Sequence, residues 1–277
     1  MSFQANDFRD LMRRHAIKPK KSLGQNFLLD PAILTQIVKS AEVTSETDVL
    51  EIGAGLGSLT CALSEVAKRV VAVELDTFLI PALTEVVGSN DKVQIITGDI
   101  LEIPIEELHL EPGYFVVANI PYYITSAVIR HLLEASIKPT RMLLTIQNEV
   151  AERICATPGD MSLLALSVQV YGSPSICGRL PAEAFYPSPN VDSAIVRIDL
   201  FPEPLIPFDR INVFFRLIKA GFSQKRKMLR NSLSAGLHSS PENIAGLLTA
   251  SGIDPMRRAE TLSIPEWNCL IQNFIEK

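Results

Sequence analysis

VLEIGAGLGSLT, residues 49–60, runs from a short apolar segment through three alternate glycines into a helical pattern. Glycines at a strand-to-helix junction let the backbone turn tightly and approach a ligand closely. The same alternation continues outward. Apolar, β-branched runs at 49–52, 70–75, 93–98 and 114–119 predict strands, and 58–67 and 77–88 predict helices that carry the chain back between them. Strands covered on both faces need such continuous apolar runs, and parallel neighbours need crossover helices. A further helix is expected over 124–136, and strands at 141–147, 166–172 and 193–200. The last two lack a clear helix between them, so an antiparallel pair should close the sheet edge. The pattern predicts an α/β, Rossmann-like fold with a mostly parallel seven-stranded sheet.

Pro202, Pro204 and Pro207 then interrupt the pattern, because proline continues neither a helix interior nor a central strand. Beyond them, 209–221, 224–236, 241–250 and 263–276 read as helices, with Gly236 and Gly252 as stops and Pro241 and Pro265 as first-turn residues. Three segments are expected: a basic N-terminal arm at 1–24, an α/β domain at 25–204 and a small all-α domain at 205–277.

With 47% hydrophobic and 21% charged residues among 277, the composition is globular and excludes a disordered or fibrous chain. Cys61, Cys155, Cys177 and Cys269 are far apart and form no CxxC pair, so neither a disulfide framework nor a thiolate zinc site is encoded. The four histidines, at 15, 109, 131 and 238, share no ligand spacing, and no metal is expected. No stretch approaches the roughly 18 apolar residues of a membrane span, which predicts a soluble, cytoplasmic protein.

The net charge of −5 alone argues weakly against a nucleic-acid partner, yet the charges are segregated. Between Glu42 and Glu111 stand fourteen acidic residues against Lys68, Arg69 and Lys92. The arm carries Arg9, Arg13, Arg14, Lys18, Lys20 and Lys21, and nine basic residues lie between Arg210 and Arg258. An acidic middle suits a small ligand, and basic ends suit a polyanion. Solvated helix faces would give the same pattern.

Gly53, Gly55 and Gly57 fit a nucleotide turn or a plain strand-to-helix turn. Glu74 ends the second strand about twenty residues on, where a carboxylate can accept from both ribose hydroxyls. Glu51, at the first strand's end, suits a cationic ligand tail better than a pyrophosphate, and S-adenosylmethionine carries both an ammonium and a sulfonium. Asp99 is placed to accept from an adenine amino group or to cap a helix. ANIPYYIT at 118–125 follows the fourth strand, where ligands bind in open α/β sheets. The adenine amino nitrogen is a poor nucleophile because its lone pair is delocalised into the ring. Acceptors for its two hydrogens, the Asn119 side-chain oxygen and the Ile120 carbonyl, would localise that pair. Pro121 fixes the carbonyl, and Tyr122 offers an aromatic face to an extruded base. A proline-stiffened turn with a core tyrosine is the structural alternative.

KKSLGQNFLLD at 20–30, EIGAGLGSLT at 51–60, VELD at 73–76, GDI at 98–100, NIPYYIT at 119–125, AFYPSPNVDSAIV at 184–196 and GFSQKRKMLRNSL at 221–233 resemble, in order and spacing, the rRNA adenine N6-dimethyltransferase family. The resemblance runs from about residue 15 to the end. RRAETLSIPEW at 257–267 looks like the bacterial small-subunit branch rather than the macrolide-resistance branch acting on large-subunit rRNA. It implies a class I S-adenosylmethionine-dependent methyltransferase domain and a monomer that dimethylates two adjacent adenosines in the 3′-terminal stem-loop of 16S rRNA, within a pre-30S or 30S subunit. It further implies Asn26 and Leu28 as residues folding over the cofactor, with Gly53, Glu74, Asp99 and Asn119 at the remaining cofactor positions. Phe185 matches an aromatic that stacks on the target base opposite Tyr122. Both Leu28 and Phe185 also read as core residues. The chain departs from many members in having Tyr123 for Asn or Ser and Ala118 for Gly.

Two rivals lack support in the residues, and a third, the assembly factor, stays open. A nicotinamide dehydrogenase needs GxGxxG, and Ser58 takes the last position. The HxE and PCxxC pattern of zinc deaminases is absent. A non-catalytic assembly factor on this fold would not need the complete acceptor turn. Lys225, Arg226, Lys227 and Arg230 are expected to begin a helix that faces RNA with its cations and the protein with Met228, Leu229 and Leu233.

Overall fold

The structure, a computed structural model, describes residues 5–275. The chain divides into two units. One contains the residues up to Ala151 together with Ser175–Leu200, and the other contains Glu152–Pro174 together with the residues from Phe201 onward.

The strands are β1 (Phe27–Leu28), β2 (Asp48–Ile52), β3 (Arg69–Glu74), β4 (Val93–Thr97), β5 (Phe115–Asn119), β6 (Arg141–Gln147), β7 (Gly172–Leu180), β8 (Phe185–Tyr186) and β9 (Ser193–Leu200). Seven of them form one sheet in the order β4-β3-β2-β5-β6-β9-β7, and β1 pairs separately with β8. The pairings from β4 through β6 are parallel, while β9 runs antiparallel to β6. From β2 the chain steps to one side for β3 and β4, then crosses to the other for β5 and β6. That reversal opens a crevice at the carboxyl ends of β2 and β5.

Helices α1 (Ala5–Arg14), α2 (Pro31–Ala41), α3 (Ser58–Val66), α4 (Ile80–Val87), α5 (Thr125–Glu134) and α6 (Asn148–Ile154) accompany these strands. On one face of the sheet, Leu34 and Ile37 of α2 and Leu59 and Leu63 of α3 bury against Val49, Val70, Val117 and Leu143. The basic N-terminal arm is docked. Phe8, Leu11 and Met12 of α1 join Leu79, Ala82 and Val86 in a second apolar cluster, and Arg14 and His15 both pair with Glu85.

The seventh strand of the main sheet is β7, whereas the segment expected to supply it, 166–172, is mostly helix α7 (Leu163–Gln169). Ser162 caps that helix by accepting from the Ala165 N–H at 3.1 Å. Ala165, Leu166 and Val170 then bury among the residues of the second unit. The segment 152–174 consequently belongs with the helical unit, which the proline-based boundary had placed entirely after residue 204.

Four more helices complete the second unit: α8 (Ile211–Phe222), α9 (Leu229–Leu237), α10 (Pro241–Ala250) and α11 (Ile264–Ile275). Phe214, Leu217, Leu229, Leu233, Leu248 and Trp267 form its centre. Gly236 lies inside α9 rather than stopping it. A Cβ there would come within 2.6 Å of Ala220 Cβ, so glycine permits the close approach of α8 and α9. Lys225, Arg226 and Lys227 are exposed but precede α9 in a turn, and Met228 is that helix's cap. Among the described residues no helix is long and apolar enough to cross a membrane.

Candidate active site

The glycine turn between β2 and α3 holds Gly53, Gly55 and Gly57 at φ of 76°, 58° and 86°, a region that side chains with a Cβ rarely adopt. A Cβ on Gly57 would also fall 2.8 Å from Leu83 Cδ1, so the turn brings α3 hard against α4. Four of its amides are spent on the chain itself. Gly53 and Ala54 donate to the Val73 carbonyl at 2.9 and 3.2 Å, Gly57 donates to Ala54 at 2.9 Å, and Gly55 donates to Glu74 Oε2 at 2.8 Å. A phosphate cradle needs such N–H groups directed at the ligand. This turn instead presents a buried carboxylate.

Glu74 ends β3 and also accepts from the Asp76 N–H through Oε1 at 2.7 Å. Burial raises its pKa, and the backbone bonds from Asp76 and Gly55 oppose that rise. Asp99 follows β4 and accepts from the Leu101 N–H at 2.9 Å. This local capping bond leaves Asp99 in the wall of a cleft, open to solvent, of about 800 Å³. Gly53, Glu74, Asp99, Asn119, Ile120, Pro121, Tyr122 and Asn26 all line that cleft.

At the end of β5, the Asn119 Nδ2 donates to the Asn26 carbonyl at 2.9 Å. A carbonyl accepts only, so this bond fixes the amide's orientation. Neither the Asn119 Oδ1 nor the Ile120 carbonyl accepts a hydrogen bond among the described residues. The Ile120 N–H donates to the Thr145 carbonyl at 3.3 Å, tying the turn to β6. Pro121 follows at φ −53° and starts the single helical turn Tyr122–Ile124. The Tyr122 hydroxyl shares a 2.7 Å hydrogen bond with Ser193 Oγ at the start of β9. Burial raises the Tyr122 pKa, with the Ser193 bond acting in the opposite sense.

Three expected residues sit elsewhere. Phe185 is 3% exposed, and Leu28, its register partner across β1 and β8, is equally buried in the same apolar cluster. Strand alternation sends those two side chains inward. Phe27, beside Leu28, instead lines the cleft, and Tyr186, beside Phe185, is exposed. Glu51 is 1% exposed on the strand face opposite Ile52, which lines the cleft. Burial pushes the Glu51 carboxyl up to about 8, so at neutral pH it is chiefly protonated and no counter-ion for a cationic tail.

A polar tie that the motifs did not predict closes the cleft's flank. Lys20 Nζ and Gln25 Nε2 each donate to one oxygen of Asp76 at 2.8 Å, and Gln25 Oε1 accepts from the Lys20 N–H at 2.7 Å. Burial would raise the Asp76 carboxyl, but these two donors hold it below its ordinary value. Lys20 also lies 4.2 Å from the centre of the Phe78 ring. The basic arm thus supplies a counter-charge two residues from Glu74.

The sequence model described as "Ribosomal RNA adenine dimethylase" matches residues 16–276. Ribosomal RNA small subunit methyltransferase A of Dehalococcoides mccartyi strain CBDB1 is 47% identical over 268 residues, covering 96% of this chain and 92% of the relative. The protein of the same name in Pelotomaculum thermopropionicum is 41% identical over 281 residues, covering 97% and 95%. Among solved structures, a dimethyladenosine transferase from Plasmodium falciparum superposes with a TM-score of 0.77 at 25% identity, over 90% of this chain and 98% of that one. The 23S rRNA methyltransferase ErmE superposes at 0.72 with 26% identity, over 90% and 99%.

Proposed function

This chain belongs to the ribosomal RNA adenine dimethylase family, and on that premise we propose that it transfers methyl groups from S-adenosylmethionine to the N6 amino groups of two adjacent adenosines in the 3′-terminal stem-loop of 16S rRNA. The observation that carries this reading is the pair of acceptors at the end of β5. Asn119 is clamped by Asn26 with its Oδ1 free, next to the free Ile120 carbonyl and the ring of Tyr122. Two acceptors side by side match an amine with two hydrogens. Each bond they make draws the lone pair out of the adenine ring and toward the methyl donor.

The cleft suits the donor chemically. Its turn spends the amides of Gly53, Ala54, Gly55 and Gly57 on the chain itself, and its walls carry Glu74 and Asp99. Those carboxylates would hold the ribose hydroxyls and the adenine amino group, and Asn26 and Gly53 would border the remainder. S-adenosylmethionine supplies, when bound, a methyl group already activated on a sulfonium. The protein's work is therefore position and polarity. The amine lone pair forms the new N–C bond as the C–S bond breaks, and the proton, made acidic by methylation, passes to water. No strong base is required. Tyr122, held by Ser193, gives the extruded base its aromatic face. Leu28 and Phe185 pack in the core through the β1–β8 pair, whose Phe27 lines the cleft.

The enzyme works as a monomer in the cytoplasm, on RNA within a pre-30S or 30S subunit. The exposed Lys225, Arg226 and Lys227 of the second unit supply phosphate contacts. Incubation with labelled S-adenosylmethionine and undermethylated small subunits, followed by nucleoside analysis, should yield N6,N6-dimethyladenosine in 16S rRNA. Absence of label from the adenosines of 16S rRNA would overturn the reading. The 39–47% identity to small-subunit enzymes, against 26% to the 23S enzyme, favours the first outcome.

A further inference from the structure

Tyr122 and Tyr123 are consecutive, yet their surroundings differ. Tyr122 is half-buried with its hydroxyl on Ser193, whereas Tyr123 lines the same cleft and is 62% exposed. The Tyr123 ring is also seated. One edge abuts Gly24, where an added Cβ would lie 3.3 Å from Tyr123 Cε1 and 3.3 Å from Pro121 Cβ. Gly24 itself takes φ +61°, so no other residue fills that seat without strain. A large aromatic side chain held against a turn, with most of its surface in water, costs free energy unless something covers it.

We propose that Tyr123 stacks on the nucleobase flanking the adenine held in the cleft. The inference rests on the reading of the site as one that extrudes an adenine to Asn119 and Ile120. Extrusion breaks stacking for two bases, because the neighbour left behind exposes a face to water. The target must reach the acceptors beside Pro121 and Tyr122. Its neighbour in the strand then meets the next aromatic outward, which is Tyr123. Covering the neighbour's face recovers part of the unstacking cost, and any base can be held this way because every base has a π-face. With two adjacent adenosines as substrate, the same ring serves whichever adenosine is waiting.

Steady-state methylation of undermethylated small subunits by wild type, Tyr123→Ala, Tyr123→Leu and Tyr123→Phe tests the proposal, with S-adenosylmethionine affinity measured by calorimetry on each. Alanine and leucine should both raise the KM for subunits by about 5- to 150-fold, the worth of one base–aromatic stack. Phenylalanine should stay within about twofold of wild type, and cofactor affinity should change by less than about twofold throughout. Leucine matters most, since it keeps apolar contact with Gly24 and Pro121 but has no ring. A leucine variant as active as wild type beside a defective alanine variant would assign Tyr123 to local packing and refute stacking. Unchanged KM in all three variants would refute it as well. A wild-type enzyme that methylates no subunit would overturn the functional reading, and this proposal with it.

Discussion

Replacing Asn119 by alanine removes two interactions that should appear in different constants. In the proposed reaction the Oδ1 accepts from the reacting nitrogen, and in the structure the Nδ2 donates to the Asn26 carbonyl at 2.9 Å. An oriented polar group serving the transition state is worth about 100- to 1,000-fold in rate. The Nδ2 bond joins two neutral groups and is worth about 0.5–1.5 kcal/mol, or about 2- to 10-fold in the binding it supports. Asn119→Ala should therefore lower the single-turnover rate by at least about 100-fold at saturating subunits, while the cofactor constant rises by no more than about tenfold. Rapid quench with labelled donor gives the rate, and calorimetry gives the constant. Asn119→Asp adds a control on the clamp. It keeps an acceptor but sets a carboxylate oxygen against the Asn26 carbonyl with no hydrogen between them, so it should weaken the cofactor more than alanine does. A rate within about tenfold of wild type in the alanine variant, with the loss confined to cofactor binding, would refute the acceptor role.

Glu74→Ala should raise the apparent cofactor constant more than it lowers saturated turnover, and should lower the melting temperature because the Gly55 and Asp76 amides lose their acceptor; each stranded donor costs about 1–3 kcal/mol, and a defect in turnover alone would count against the role. The triple change Lys225→Ala, Arg226→Ala and Lys227→Ala should flatten the slope of log affinity against log salt by about 2, at roughly 0.7 per phosphate contact, and leave cofactor binding unaltered; an unchanged slope in a salt titration would exclude these cations from the interface. In the second unit, Arg257 holds the Glu266 carboxyl at about 2, and a depressed acid stabilises the fold above its unfolded value near 4.5 and loses that stability as pH falls toward 2. Glu266→Gln should thus cost about 1–2 kcal/mol at pH 7, allowing for solvent screening at a site about one-third exposed, with the difference from wild type closing across that window in thermal melts; a difference that is the same at pH 7 and pH 3 would contradict the assignment.

The central sheet was legible because parallel strands covered on both faces leave little choice of residue. β2 is buried at every position, and its sequence, DVLEI, is mostly apolar. The edge strand β7 was not legible. GSPSICGRL alternates exposed and part-buried positions and contains Gly172, Pro174 and Gly178, so neither a continuous run nor a clean apolar alternation marks it. A Cβ on Gly178 would meet Gln36 Nε2 at 2.5 Å, which gives that glycine a packing reason visible only in three dimensions. The apolar run of α7 reads as a strand instead, since a short, part-buried apolar helix and a buried strand share one composition.

The site divides along the same line. Gly53, Glu74, Asp99 and Asn119 were legible because each stands at or just after a strand's carboxyl end, where the sheet's topology delivers side chains to one crevice. Leu28 and Phe185 were misplaced because motif position does not say which face of a two-residue strand a side chain takes. The Lys20–Gln25–Asp76 tie joins residues 51 and 56 positions apart, a separation that carries no local pattern. Its effect connects the two charge regimes of the chain. The chain's charges are segregated, with acidic residues across 42–111 in the first unit and cations across 210–258 in the second. Lys20 is a cation of the basic arm that lies within the acidic stretch's territory, and it is spent on Asp76. Its charge is therefore neutralised beside the cleft, while Glu74 and Asp99 are left to line it.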